Sequence, residues 1–260
     1  MPERRFRKTG PASDLLRFEA EIDGLAALRE TGCVRVPEKV GAGMTAEGTA
    51  WLELEYLDLA SLDRAGGVKL GEQLAELHRL TGSRPDAAYG WPRDNFIGAA
   101  PQSNRPHTTW AGFFATERLR PQLAWAAGNG MERTLREKGE RIADNLGAFF
   151  LDYRPQPCLL HGDLWSGNAG QLPDGTPVIF DPAVYRGDRE ADLAMSELFG
   201  GFPESFYAAY RLAWPLDPGY ETRKTLYNLY HVLNHFNLFG GGYLGQAKRM
   251  IEKLAAELRG

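Results

Sequence analysis

Four polar side chains with the chemistry of a phosphate-transfer site fall within one short stretch of the chain. His161, Asp163 and Asn168 follow one apolar triplet, and Asp181 follows a second. Phosphoryl transfer needs a carboxylate to accept or orient the attacking hydroxyl, and an oxygen-rich site for Mg²⁺ near the phosphates. Asp163 fits the base, Asn168 fits an amide ligand, and Asp181 fits a metal-binding carboxylate.

Two other interpretations account for some of these residues. Asp and Asn near Gly and Pro often only stabilise turns, which would explain each residue singly but not the ordered set. His161 and the two aspartates could instead hold Zn²⁺ for hydrolysis. No second histidine lies at the close spacing that zinc sites use, so this alternative is disfavoured.

Short buried strands are predicted to carry these groups. The apolar residues 158–160 and 178–180 have the composition of such strands, and the turn residues 173–175 between them predict a hairpin. In the N-terminal part, residues 4–9, 34–40 and 49–57 are predicted to be strands.

Helices are predicted for much of the rest. A helix that begins near Asp14 has apolar residues at helical spacing, and Glu21 lies on the same face. The segment 83–109 is rich in Pro, Gly and Asn and is predicted to be a long loop. Further helices are predicted at residues 70–82, 110–126, 131–153, 220–239 and 246–258.

Composition excludes several classes of protein. The net charge of -4 over 260 residues argues against general nucleic-acid binding. No apolar run approaches the roughly 20 residues that span a bilayer, and no secretory signal pattern is present. Cys33 and Cys158 are the only cysteines and need not form a disulfide. A cytoplasmic protein is therefore expected, with no membrane partner; the oligomeric state is left open.

The motif H-x-D-x-x-x-x-N, followed by a hairpin and a strand ending in Asp, is typical of kinase-like enzymes. HGDLWSGN at 161–168 and FDPAVYRGDREADLAM at 180–195 resemble the fructosamine kinase (ketosamine-3-kinase) family more specifically. The resemblance extends to LEYL, GWPRDNFIG, ELFGGFP and NLYHVLNHFNLFGGGYLGQA, at residues 54–57, 90–98, 197–203 and 228–247.

This resemblance implies an α+β, two-lobed protein-kinase-like fold. Residues 1–57 would form a small antiparallel-sheet N-lobe, and residues 58–260 a mainly helical C-lobe with the catalytic loop and metal site. The family carries a Gly-rich hairpin before its lysine strand, whereas only six residues precede Arg7 and Lys8 here. A truncated N-lobe is therefore expected. Either the start codon lies upstream, the chain works without that hairpin, or it has lost catalysis.

The activity implied by the resemblance is ATP-dependent phosphorylation of the sugar 3-hydroxyl of a ketosamine, with Mg²⁺. The product then decomposes and frees the amine, which amounts to deglycation of free or protein-linked substrates. Two alternatives remain open. One is a kinase of another small alcohol, as in aminoglycoside or choline kinases, and the other is a non-catalytic nucleotide- or sugar-binding relative.

The resemblance also assigns roles near the nucleotide. Lys8 is implied to contact the phosphates, and Glu21 to hold Lys8 by an ion pair, with Glu19 as the alternative. Asp163 keeps its role as base, and Asn168 and Asp181 remain the metal ligands. Backbone groups at the hinge between the lobes are implied to bind adenine: Glu55, Tyr56 and Leu57.

Further residues are implied to bind the acceptor or to support the loop. Trp165 would stack on the sugar ring, or else only pack. Asp94 and Asn95 would line the substrate cleft, although turn formation explains them equally well. His161 and Asp192 would support the catalytic loop, Asp192 by accepting hydrogen bonds from its backbone.

Overall fold

The computed structural model describes residues 4–83 and 87–258 of the chain. Residues 1–3 of the predicted N-lobe, 84–86 of the predicted long loop and 259–260 at the end of the C-lobe lie outside the described residues. None of the helices in the described ranges has the length and apolar character needed to cross a bilayer.

A three-stranded antiparallel sheet opens the described chain. Strands β1 (Arg5–Pro11), β2 (Lys39–Met44) and β3 (Thr49–Glu55) have the order β1-β3-β2, and Lys8 lies opposite Leu52. Alternate residues of β3 are buried, as its sequence predicts. Helix α1 (Leu15–Glu30) follows β1 after one short 3₁₀ turn and packs on this sheet.

The prediction of a strand at residues 34–40 is wrong in its position. Val34 and Val36 are buried in the core, and Arg35 forms an isolated bridge with Val178 in the C-lobe. Pro37 has no N–H to donate to a strand partner, so regular pairing begins only with β2. The apolar alternation here marks a connecting segment that packs between the lobes.

Three short antiparallel strand pairs, with three residues in each strand, complete the described strands. Strands β4 (Asn95–Ile97) and β5 (Ala100–Gln102) form a hairpin within the predicted long loop. Strand β6 (Cys158–Leu160) pairs with β9 (Tyr185–Gly187), and β7 (Ala169–Gln171) pairs with β8 (Pro177–Ile179). The hairpin predicted at residues 173–175 is confirmed.

Helices make up most of the remaining chain. The prediction for residues 131–153 is wrong in its second half, because Asn145 leaves the helical conformation and its Nδ2 donates to the carbonyl oxygen of Arg141. The prediction for 110–126 is nearly correct, although a π-helical stretch, Phe114–Leu119, interrupts it. The helices are α2 (Arg64–Gly82), α3 (Trp110–Phe113), α4 (Arg120–Gly128), α5 (Arg133–Asp144), α6 (Glu190–Leu198), α7 (Glu204–Ala213), α8 (Tyr220–Phe239) and α9 (Tyr243–Glu257).

One hydrophobic cluster joins the sheet to the helices. Phe18 and Leu52 from the N-terminal part belong to the same buried cluster as Leu70 of α2 and Leu164. Leu164 lies in the predicted catalytic loop, residues 161–168. A second cluster lies among α3, α4, α5, α8 and α9. The catalytic loop therefore rests on a core that both predicted lobes share, and the boundary at residues 57/58 stays a prediction.

The close packing of α2 on α7 yields a test of the fold. A Cβ on Gly71 would collide with the carbonyl oxygen of Phe206 and lie 3.0 Å from the backbone nitrogen of Tyr210. We expect Gly71→Ala to lower the free energy of unfolding by about 1–3 kcal/mol, because the two helices must separate. Gly128→Ala is the matched control, since its Cβ meets no atom within 4 Å. Chemical denaturation measures both, and equal stability of the two variants would contradict this packing.

Candidate active site

The catalytic loop begins where β6 ends, and a glycine shapes its first turn. Gly162 has a φ of 81°, and a Cβ there would collide with the carbonyl oxygen of Ala183. This close approach brings His161 and Asp163 beside the segment that follows Asp181. A hydrogen bond from the Ala183 backbone nitrogen to the His161 carbonyl oxygen, 2.8 Å long, joins the two segments.

Asp192 on α6 binds the backbone at the start of the catalytic loop. Its Oδ2 accepts a hydrogen bond from the backbone nitrogen of His161 at 2.7 Å, and its Oδ1 accepts one from Gly162 at 2.8 Å. The side chain is buried, and burial alone would raise its pKa. Hydrogen bonding and charge from His78, with the donation from Gly162, outweigh burial and keep the pKa of Asp192 below its usual value. The expected contact with the loop backbone is present.

His78 is a residue of this assembly to which the sequence gave no role. Its ring is fully buried in α2, with Nδ1 2.8 Å from the hydroxyl of Tyr210 and Nε2 3.3 Å from Oδ2 of Asp192. The imidazole thus supports the carboxylate that supports the catalytic loop. The sequence shows only that His78 lies beside an apolar helical stripe, and this does not indicate that Asp192 is its partner.

His161 connects the catalytic loop to the residues between β8 and Asp181. Its Nε2 lies 2.9 Å from the carbonyl oxygen of Phe180, and its Nδ1 accepts a hydrogen bond from the backbone nitrogen of Asp163 at 3.2 Å. Burial lowers the pKa of His161, so the ring is neutral and carries its proton on Nε2. One ring therefore sets the spacing between the residues that precede Asp163 and Asp181.

Asn168 fixes the orientation of the Asp163 carboxylate. Its Nδ2 donates to the backbone oxygen of Asp163 at 2.9 Å and to Oδ2 at 3.1 Å. Burial raises the pKa of Asp163 to about 7, against the opposing effect of this hydrogen bond. Because the amide nitrogen is used within the loop, Oδ1 of Asn168 is left for a ligand: it has no protein partner in the described ranges.

Lys8 reaches from the sheet to Asp181, which lies just beyond β8. Its Nζ lies 3.0 Å from both carboxylate oxygens of Glu21 and also contacts Oδ1 of Asp181. Burial would lower the pKa of Lys8, but the two carboxylates outweigh burial and raise it. Burial raises the pKa of Glu21 to about 7. Glu19, the alternative partner, instead points toward Arg93 at 3.9 Å, so the ion pair is made by Glu21.

Asp181 has an unusual backbone conformation. Its φ of 54° is positive, which no other non-glycine residue shares within residues 4–83 and 87–258. An L-residue in this region is strained by about 1–3 kcal/mol and persists only when its surroundings hold it. The surroundings here are the Lys8 contact and the hydrogen bond from His161 to Phe180.

A cavity of about 250 Å³ lies between α1, the β4–β5 hairpin and the catalytic loop. Trp165 forms part of its wall, where its ring covers Gly167 so closely that a Cβ would collide with it. The edge of Phe199 meets this ring, with centroids 6.1 Å apart. The cavity brings together seven of the predicted site residues: Lys8, Glu21, Asn95, Asp163, Trp165, Asn168 and Asp181.

The predicted hinge residues lie away from this cavity. Glu55 and Tyr56 line a separate depression at the edge of the sheet. The backbone nitrogen of Glu55 already donates to the carbonyl oxygen of Glu38 at 2.8 Å. An adenine contact through a backbone N–H at the hinge would therefore fall on Tyr56 or Leu57.

Asp94 and Asn95 have different surroundings. Asp94 is exposed, and its Oδ1 accepts a hydrogen bond from the backbone nitrogen of Asn104 at 2.8 Å, which is turn chemistry. Asn95 is buried at the cavity wall, and its Nδ2 donates to the carbonyl oxygen of Val184 at 2.7 Å. Of the two, only Asn95 lines the cavity.

A buried amide network connects Asn95 to a buried arginine. Gln102 Nε2 donates to the Asn95 side-chain oxygen at 2.8 Å and to the Ala183 carbonyl at 3.2 Å. Asn104 Nδ2 also donates to the Asn95 side chain, and Arg118 Nη2 donates to the Asn104 side-chain oxygen at 2.7 Å. The network thereby ends on the backbone that follows Asp181. The sequence left Arg118 without a role.

Arg118 carries its charge in an apolar setting. Its guanidinium lies 4.1 Å from the ring centroid of Tyr185 and 4.6 Å from that of Phe113. No carboxylate in the described ranges forms an ion pair with it, so the backbone oxygen of Ser103, the side-chain oxygen of Asn104 and the aromatic faces stabilise the cation. The π-helical stretch that contains Arg118 was not predictable from the local sequence.

Comparison with known proteins identifies relatives along the whole chain. The fructosamine kinase family profile matches residues 2–257. A protein of Synechocystis sp. assigned as a ketoamine kinase is 46% identical over 254 residues, covering 96% of this chain and 83% of that protein. The chloroplastic protein-ribulosamine 3-kinase of Arabidopsis thaliana is 41% identical, with 95% and 73% covered. The ketosamine-3-kinase of Mus musculus is 35% identical, with 97% and 88% covered.

Solved structures of other proteins share the fold of this chain. A crystal structure from Haemophilus somnus 129PT, assigned as a fructosamine-3-kinase, has a TM-score of 0.88 at 32% identity, covering 97% of this chain and 84% of that one. An aminoglycoside phosphotransferase, APH(4)-Ia, has a TM-score of 0.65 at 13% identity, with 98% and 86% covered, and shares the fold alone. The expected two-lobed protein-kinase-like fold is confirmed.

Support of the catalytic loop by Asp192 can be tested directly. Asp192→Asn keeps the shape but offers one acceptor oxygen, so its NH₂ group must face an N–H of His161 or Gly162. We expect a loss of about 3 kcal/mol in the free energy of unfolding, because a buried donor loses its partner. Asp174→Asn, in the exposed β7–β8 turn, is the control. Similar denaturation midpoints for both variants would refute the assigned role of Asp192.

Proposed function

Because the chain belongs to the fructosamine kinase family, we propose that it transfers the terminal phosphate of ATP to the sugar 3-hydroxyl of ketosamines. The observation that carries this proposal is the shared cavity. An oriented carboxylate at Asp163, the Lys8–Glu21 ion pair and the oxygen ligands of Asn168 and Asp181 face one small space. That set supplies what phosphoryl transfer requires of a protein.

Asp163 acts as the base toward the acceptor hydroxyl. Since burial brings its pKa to about 7, a substantial fraction is unprotonated at neutral pH and still basic enough to accept a proton. The hydrogen bond from Asn168 to Oδ2 holds the carboxylate in one orientation. Oδ1 is then the atom that accepts the proton from the hydroxyl.

The residues present fit a Mg²⁺ ion that is completed by phosphate oxygens. Oδ1 of Asn168 and the half-exposed carboxylate of Asp181 are hard oxygen ligands, as Mg²⁺ prefers. No group of three or more His, Cys, Asp or Glu side chains in the described ranges is arranged to hold a metal alone. This suits an ion that arrives with the nucleotide. When bound, Mg²⁺–ATP supplies the phosphoryl group and neutralises charge on its oxygens.

Lys8 neutralises charge on the phosphates from the N-lobe side. Its ammonium is held by Glu21 at 3.0 Å and remains charged, since both neighbouring carboxylates raise its pKa. The strand position of Lys8 opposite Leu52 sets how far it reaches into the cavity. Adenine would then be held by the hinge backbone at Tyr56 and Leu57.

A ketosamine is the acceptor that best suits the cavity and the relatives. Trp165 offers a flat apolar face beside Asp163, on which a sugar ring can stack. Phosphorylation at the 3-hydroxyl makes the adduct decompose and frees the amine, so the reaction is a deglycation.

The same proposal includes where the enzyme works. Both cysteines are free thiols, Cys158 being buried and Cys33 partly buried. Free thiols suit a reducing compartment, and we propose that the enzyme acts in the cytoplasm on small or protein-linked ketosamines. The proposed lobe boundary is at residues 57/58.

The proposal is tested by replacing the base. Incubation with ATP, Mg²⁺ and either ribulose-lysine or fructose-lysine should give a phosphorylated adduct, detected by mass spectrometry. We expect Asp163→Asn to lower kcat by about 10²–10⁴-fold, because the amide cannot accept the proton. Asp174→Asn is the control, with its side chain in the exposed turn. Full activity of Asp163→Asn, or no product from the unsubstituted chain, would contradict the proposal.

The metal role of Asp181 has a separate readout. Calorimetric titration with ATP analogues should show tighter binding with Mg²⁺ than without it. In Asp181→Asn we expect this Mg²⁺-dependent gain to shrink by about tenfold or more, because a charged ligand is lost. An undiminished gain would rule out Asp181 as a metal ligand.

A further inference from the structure

Arg17 is a cavity residue that no step of the proposed reaction uses. It lies on α1, one helical turn before Glu21, and lines the cavity together with Asp163 and Trp165. We propose that Arg17 binds the carboxylate of ketosamines formed from free α-amino acids, so that the site prefers acceptors with that anionic group. This inference rests on the proposed function and names its substrate class more closely.

The guanidinium of Arg17 is held in place before any acceptor binds. Its Nη2 donates to Oδ2 of Asp14 at 2.7 Å, one turn earlier in the chain. The Asp14 carboxylate lies over Gly10, where a Cβ would collide with it. The absence of a side chain at Gly10 therefore lets Asp14 reach the position from which it orients Arg17.

The remaining donors of Arg17 are left for a ligand. Within residues 4–83 and 87–258, Nη1 and Nε of Arg17 form no hydrogen bond, and the side chain is 34% exposed. Each edge of a guanidinium that presents two parallel N–H groups to a carboxylate includes Nη2, paired with either Nη1 or Nε. Asp14 uses one N–H of Nη2, so the other N–H and its neighbour on Nη1 or Nε remain for such a ligand. Lys8, the other cation of the cavity, differs because Glu21 and Asp181 already neutralise it.

The location of Arg17 favours the acceptor over the nucleotide. The proposed phosphate-side groups Lys8, Asn168 and Asp181 lie where β1 approaches the residues after β8. Helix α1 also packs on the β4–β5 hairpin, whose Asn95 and Phe96 line the cavity. Arg17 lines the same cavity as this hairpin and Trp165. We assign the part of the cavity lined by Arg17, the hairpin and Trp165 to the acceptor, because the sugar ring stacks on Trp165 in the proposed reaction.

The chemistry of the acceptor fits both ends of a small cavity. In a ketosamine of a free α-amino acid, the carboxylate is two bonds from the amine nitrogen, which is bonded to C1 of the sugar. At about 250 Å³ the cavity is smaller than the roughly 300 Å³ lower bound of drug-sized sites, so one short molecule can span it. The 3-hydroxyl then faces Oδ1 of Asp163, and the carboxylate faces Arg17. A ketosamine within a peptide has an uncharged amide in place of that carboxylate.

A pair of acceptors that differ by one charge tests the assignment. The fructosamine adducts of glycine and of glycinamide have nearly the same size, but only the first has a carboxylate. With the full chain, ATP and Mg²⁺, we expect kcat/KM to be about tenfold higher for the glycine adduct, mainly through KM, because a charge-assisted hydrogen-bond pair is lost with the amide. Arg17→Gln should bring this ratio close to one, and Arg17→Lys should restore part of it.

Arg7→Gln is the matched control. Arg7 is a similarly exposed arginine of the same lobe, but it pairs with Glu53 on the opposite side of β1 from Lys8 and does not line the cavity. It should keep the preference for the glycine adduct. A ratio near one in the unsubstituted chain would overturn the assignment and leave the proposed reaction standing. An equal loss for both adducts in Arg17→Gln would also overturn it, by assigning Arg17 to the transferred phosphate. If neither adduct is phosphorylated, the proposed reaction and this inference fail together.

Discussion

The structure of the site depends on one buried carboxylate that accepts two backbone hydrogen bonds. Asp192 holds the N–H groups of His161 and Gly162, and it can stay charged in the core because His78 and those donors offset its desolvation. Every other functional group is placed relative to this anchored turn. Asp163 follows it directly, and the ring of His161 transmits its position to the strand that ends before Asp181. Helices α2 and α6 thus determine the geometry of a loop that neither of them contains.

The parts of the site that could be predicted from sequence are those where chemistry and local spacing coincide. Asp163, Asn168 and Asp181 follow apolar triplets, so a short strand and a hairpin suffice to bring them together. Glu21 could be favoured over Glu19 because helical periodicity puts only Glu21 on the apolar face of α1, and the ion pair with Lys8 agrees. The strand Thr49–Glu55, predicted at residues 49–57, was evident from strict alternation and needed no tertiary information.

Other features depend on contacts between distant segments and could not be predicted from the local sequence. His78 and Arg118 matter because of what α2 and the π-helical stretch pack against, more than sixty residues away in Asp192 and Tyr185. Residues 34–36 alternate like a strand, but the alternation reflects burial between lobes. Asn95 and Asp94 are adjacent and chemically similar, and only the tertiary fold decides that the first faces the cavity while the second closes a turn.

The contact of Lys8 with both Glu21 and Asp181 has a consequence for how charge enters the cleft. The positive charge of Lys8 is neutralised by two carboxylates of the same site. The cleft therefore has little uncompensated charge around Lys8 while no nucleotide is bound. In the proposed reaction, nucleotide binding would exchange these partners: Lys8 would leave Asp181 for a phosphate oxygen, and Asp181 would become free for a cation. Under that proposal, affinity for the nucleotide and affinity for the metal would be linked through this single side chain, and each would strengthen the other.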